Sequence, residues 1–189
     1  MRKIKLCLLC SLLIWSVQAQ ISKKVECKSG QLCKLLTQSE VQTVNELTLT
    51  GTIDARDFIT MKKMPVLSVV DLKDVTINAY SGSEWRYADS TNANEIPAFA
   101  FFNASNGQGK ESLVKIRLPR SVLTFGDYAF ANCSKLKEIQ IDSEIPPEFS
   151  LLAFDGVDIH NCKLHVSQRA VDAYKDKEGW NHFCIIEDL

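Results

Sequence analysis

The chain has no long apolar run, no surplus of positive charge and none of the short motifs that carry common chemistry. Its longest apolar stretch, Leu6 to Trp15, is too short to span a bilayer as a stable anchor. Lys and Arg number 22 against 23 Asp and Glu, a formal net charge of −1. That balance gives no electrostatic ground for binding nucleic acid or an anionic membrane. Gly-x-Ser-x-Gly, His-Glu-x-x-His and a Cys–His nucleophile arrangement are all missing, so hydrolytic chemistry has no visible seat. Gly107-Gln-Gly109-Lys110 lacks the spacing of a phosphate-binding loop and reads as an ordinary loop.

What is present begins with a processing signal. Arg2, Lys3 and Lys5 form a basic start, the short apolar run follows, and Val17-Gln18-Ala19 offers a small-residue cleavage site. Residues 1–19 are therefore expected to be a signal peptide and the chain to be exported: secreted, on the cell surface or in the periplasm. Removing them takes away three positive charges and no acids, which moves the net charge from −1 to −4. Cys10 follows Leu9 and not a small residue, so it makes a poor lipid-attachment site. Five cysteines lie beyond the leader, an odd number, so at least one thiol stays free. Cys27 and Cys33, six apart, are the expected disulfide.

The remainder is governed by a ruler of 23 residues. The frame apolar-x-x-apolar-x-apolar occurs at Val44, Leu47 and Leu49, and again at Leu67, Val70 and Leu72. It returns at Leu113, Ile116 and Leu118, then at Leu136, Ile139 and Ile141, and finally at Ile159, Cys162 and Leu164. Alternation within each copy is the period of a strand with one buried face. Copies that run the same way and return through a short segment must place their strands parallel. The fold class predicted is an α/β repeat: a curved leucine-rich-repeat solenoid with short parallel strands on its concave face and helical caps at both ends. The return segments add a column of large side chains, Met61, Phe101, Phe130 and Phe154, facing the strands across the core.

The ruler divides the chain into an N-terminal cap at 20–43, the solenoid at 44–166 and a C-terminal cap at 167–189. Leu32, Leu35 and Leu36 suggest a helix across Gly30 to Glu40 with one apolar face. Ser167 is expected to cap a helix running to Lys177, and Asp57 to cap the helix that follows the first repeat's strand, which ends near Thr50. The second copy breaks the count with an insertion at about 78–94, NAYSGSEWRYADSTNAN.

Two surfaces are candidates for recognition. Residues between the apolar strand positions face outward in ladders, one through Glu46, Val69, Lys115, Glu138 and Asn161, the other through Thr48, Asp71, Arg117, Gln140 and Lys163. The insertion contributes Tyr80, Trp85 and Tyr87, amphipathic anchors for a protein or platforms for a sugar. His160, Cys162, His165, His182 and Cys184 do not converge as metal ligands: the ruler puts Cys162 inward and His165 outward. No cofactor, metal or catalytic residue is expected.

Leu113 to Leu118, Pro119 and Ala129-Phe130-Ala131-Asn132-Cys133 together resemble the repeat of the BspA-like leucine-rich-repeat family. LTLTGTIDARDF near the front and VDAYKDKEGWNHF near the back are similar to that family's entry and exit segments. The resemblance implies an exported or surface protein of anaerobic bacteria that takes part in adhesion to host matrix or cell-surface proteins, or to other cells. The chain departs from the pattern in having few repeats, a large insertion and no lipid anchor. The competing expectation is a carbohydrate-binding accessory protein or enzyme that uses the aromatic insertion.

Overall fold

The computed structural model describes residues 20–186; the expected signal peptide lies outside them. Seven parallel strands form one sheet in strict chain order: β1 (Ser22–Cys27), β2 (Glu46–Ile53), β3 (Val69–Ile77), β4 (Lys115–Leu118), β5 (Glu138–Ile141), β6 (Lys163–Val166) and β7 (Cys184–Ile186). Leu47, Val70, Ile116, Ile139 and Leu164 stand side by side and are all buried. Each such side chain removed from water contributes roughly 1.5–3 kcal/mol. Across the core a second, three-stranded parallel sheet joins Glu95–Ile96, Thr124–Phe125 and Glu148–Phe149, with Thr124–Phe125 in the middle.

The phenylalanine column forms. Phe130 stacks on Phe101 at 5.3 Å and 24°, and on Phe154 at 5.3 Å and 3°. Its first ring is Phe58, which meets Phe101 edge-on at 5.9 Å. Met61 is buried one turn further along the same helix, α3 (Ala55–Lys63).

Three sequence expectations are corrected at the N-terminal end. Residues 20–43 contribute a strand as well as helix, since β1 pairs with β2 from Ser22↔Glu46 to Cys27↔Gly51. The single helix expected there is two short ones, α1 (Leu32–Leu35) and α2 (Gln38–Thr43). They divide at Thr37, which closes a capping box with Glu40. Leu32 and Leu36 are buried, whereas Leu35 is exposed. Asp54, not Asp57, is the N-cap of α3: its carboxylate accepts from Arg56 N at 2.9 Å, and Asp57 reciprocates by accepting from Asp54 N at 2.9 Å.

The cysteine pair is also corrected. Cys27 and Cys33 are both free. β1 carries Cys27 inward, with its thiol 3.8 Å from Asp57 Oδ1, while α1 leaves Cys33 exposed.

The C-terminal end departs from its frame by two residues. A 3-10 turn at Ile159–Asn161 lengthens the return, so Leu164 pairs with Ile139 and Lys163 with Glu138. Cys162 is buried but does not occupy the strand position the ruler assigned to it. Beyond Ser167, whose side chain makes no cap hydrogen bond, a 3-10 turn leads into α4 (Val171–Asp176). Tyr174, Trp180 and Phe183 then pack into the core.

Candidate functional site: the outward sheet face and the insertion cleft

Alternation places one side chain in two on the outer face of the main sheet. The first outward row runs Ser22, Glu46, Val69, Lys115, Glu138, Lys163 and Cys184. The second runs Lys24, Thr48, Asp71, Arg117, Gln140 and His165. Lys163 thus stands beside Glu138 and not beside Gln140, and Asn161 drops out of the face into the turn. Strands β1 and β7, which the sequence did not announce, extend the face to seven. At a spacing of about 4.8 Å that is roughly 30 Å across.

Charges on this face are paired across strands. Arg117 Nη1 donates to Asp71 Oδ2 at 3.2 Å, and Asp71 is only 8% exposed. Lys115 Nζ donates to Glu138, whose Oε1 also lies 3.4 Å from His165 Nε2. The Arg117 Nε is buried and has no acceptor among the described residues. The rows therefore combine a fixed polar mosaic with one donor still unused at its centre.

The insertion is not an exposed aromatic loop. Residues 78–94 leave and rejoin the stack at one place, where Asn94 N donates to Ile77 O at 2.9 Å. Trp85 is 1% exposed and belongs to the core, and Tyr80 and Tyr87 are half-buried. The expectation that Trp85 projects toward a partner is overturned by where the segment folds. Tyr87 stacks on Phe99 at 4.7 Å and 22°, and Phe99 on Tyr128 at 5.3 Å and 24°. Phe99 and Tyr128 hold left-handed backbone, φ 62° and 57°, at matching places in consecutive repeats. Such strain persists only where the surroundings fix it; here Phe99 N donates to Asp127 O at 3.0 Å and Tyr128 N to Leu152 O at 3.2 Å.

Two cations of α3 fasten this segment down. Arg56 lies over the Tyr80 ring at 4.7 Å and donates to Glu84 Oε2 at 3.3 Å, which the Tyr80 hydroxyl also reaches at 3.0 Å. Lys62 Nζ donates to Phe99 O at 2.9 Å and Phe102 O at 3.1 Å, beneath the rings of Tyr87 and Trp85. Burial, reinforced by the like charge of Arg86, pushes its amine down to about 8. Sequence reasoning missed Lys62 because nothing in its own helix marks it; its partners lie 37 and 40 residues away. Gln108 and Gly109, expected in a plain loop, belong to a small antiparallel hairpin (Phe102–Asn103 with Gln108–Gly109).

His160 and His182 approach with ring centroids 6.1 Å apart. Among the described residues no group of three or more His, Cys, Asp or Glu could hold a metal ion.

A parallel sheet of repeated short strands over a phenylalanine column is the architecture of a stacked-repeat protein. Residues 94–175 match the family described as "BspA type Leucine rich repeat region (6 copies)", so that part of the chain is similar to BspA-type leucine-rich repeats. The match starts as the insertion ends, so β1, β2 and β3 lie outside it while continuing the same sheet in register. No curated protein matches the chain. Leucine-rich repeats of this kind suggest protein–protein interaction or adhesion. No helix among the described residues is long and apolar enough to cross a membrane.

Proposed function

We propose that the chain is an exported binding protein that holds a protein partner on the outward face of its main sheet, in adhesion or recognition at or outside the bacterial envelope. In this reading residues 1–19 are removed on export, the stack is a curved solenoid, and the segments at its two ends serve as caps. The observation that carries the reading is the pair of unbroken outward rows, with Arg117 near their centre keeping an unused buried donor. Glu46, Thr48, Asp71, Lys115, Arg117, Glu138, Gln140 and Lys163 all take outward register positions on it. Arginine at the centre of a desolvated face is a frequent energetic anchor of protein interfaces.

The test is surface plasmon resonance of the mature protein against purified host matrix and cell-surface proteins and a glycan array, with Arg117→Glu and Lys163→Glu variants in parallel. A partner bound on this face loses about tenfold or more in affinity with Arg117→Glu. A partner that both variants hold as tightly as the parent removes the sheet face from consideration.

A further inference from the structure

A second site lies where α3 meets the insertion. Ile59, Lys62, Lys63, Glu84, Trp85, Arg86, Tyr87 and Asn103 line a cleft of about 590 Å³, within the size range of small-molecule sites. Its charge is lopsided. Lys62, Lys63 and Arg86 bring three cations, and the one acid, Glu84, is already held by Arg56 and the Tyr80 hydroxyl. Lys62 gives its N–H bonds to uncharged oxygens, Phe99 O, Phe102 O and the Tyr87 hydroxyl at 3.4 Å, so its ammonium sits in a half-dry place without a carboxylate. The lowering of its amine by burial and by Arg86 measures that cost. In addition Trp85, 99% buried, keeps an indole Nε1–H with no acceptor among the described residues. An unpaired buried donor is expensive and calls for an acceptor.

We propose that this cleft binds a small organic oxyanion, its charged group taken by Arg86 and the Trp85 N–H within the field of the Lys62 ammonium, and its body lying against Ile59 and Tyr87. The site is separate from the sheet face. An oxyanion would supply the acceptor that Trp85 lacks and relieve the repulsion between Lys62 and Arg86. Carboxylate and sulfate ester offer the same chemistry, and either can be carried on a sugar.

Isothermal titration of the full mature protein at pH 7 with glucuronate, glucose 6-sulfate and neutral glucose tests this. One or both anions bind, about tenfold or more tighter than glucose, since charge-assisted hydrogen bonds separate them. Which anion binds tells the carboxylate source from the sulfate source. Trp85→Phe, which keeps the ring packing and removes only the donor, weakens that binding, and Arg86→Glu on the exposed rim abolishes it. Arg117→Glu leaves it unchanged, so loss of sheet-face binding and loss of cleft binding are told apart. The proposal is overturned if neither anion binds, if glucose binds as well as the anions, or if Trp85→Phe and Arg86→Glu both bind like the parent.

Discussion

Asp57 Oδ2 accepts the backbone N–H of Gly30 at 2.7 Å, across 27 residues of chain. The same carboxylate takes Leu32 N at 3.0 Å and Asp54 N at 2.9 Å, and it is fully buried. One side chain therefore closes the α3 capping box and pins the turn between β1 and α1 to the body of the protein.

Replacing Asp57 with Ala leaves three N–H donors without their acceptor, two of them buried, and costs about 3 kcal/mol, beyond what a surface cap loses. Asn keeps one acceptor oxygen and should cost roughly half as much. Urea unfolding of the two variants checks this; a loss under about 1 kcal/mol for Ala means the turn is held by something else.

The Asp71–Arg117 contact spans the junction between β3 and β4, where the 46-residue gap in the ruler falls. A double-mutant cycle with Asp71→Ala and Arg117→Ala should yield a coupling of about 0.5–1 kcal/mol. It should shrink in high salt, because Arg117 is partly open to solvent. Zero coupling at low salt would show that the two strands are not in the stated register.

The five thiols of residues 20–186 should separate cleanly. Cys33 and Cys184 are exposed and react with a thiol reagent in the native state. Cys27, Cys133 and Cys162 are pushed up to about 12, chiefly by burial, and stay protected until the protein unfolds. Five thiols titrated in denaturant without reductant would agree with a free Cys27 and Cys33; three would restore the bridge expected from their spacing.

Stability should pass through a maximum near pH 9. Burial lowers Lys62 and Lys110 from 10.5 to about 8, so above that pH the unfolded chain holds more protons on these amines than the folded one. By linkage, stability rises with pH there. The three buried thiols are shifted the other way, from 9.0 to about 12. Above pH 9 the folded state holds their protons while the unfolded state releases them, and three thiols outweigh two amines. Urea midpoints at about pH 7, 9 and 10.5 should rise and then fall; a monotonic fall from pH 7 would mean that the two amines are not desolvated.

The central repeats were legible because Leu47, Val70, Ile116 and Ile139 carry both the period and the apolar identity. Two features hid the rest. In β1 the inward register position beside Leu47 is Lys23, which pairs with Glu40 at 2.5 Å and holds that carboxyl down to about 2; a strand announced by Val25 and Cys27 alone does not stand out. In β6, Cys162, Leu164 and Val166 alternate continuously, so a shift of two residues leaves the pattern unchanged and only the 3-10 turn before it sets the phase. The insertion was visible as a break in the count, yet its aromatic residues were misplaced. Trp85 is surrounded in sequence by polar neighbours, and the groups that bury it come from α3 and the following turns. No local pattern encodes such a meeting.

The seven strands of the main sheet lie in the order in which they are made. A chain that emerges amino end first can lay each new strand on one already set, and no strand waits for a neighbour yet to be synthesised. The same arrangement bears on inheritance. A unit of about 23 residues gained or lost between β4 and β5 would lengthen or shorten the stack by one rung without rerouting the chain. The insertion beside Lys62 has no such freedom, because that one amine holds the Tyr87 hydroxyl of the insertion and the carbonyls of Phe99 and Phe102 at once.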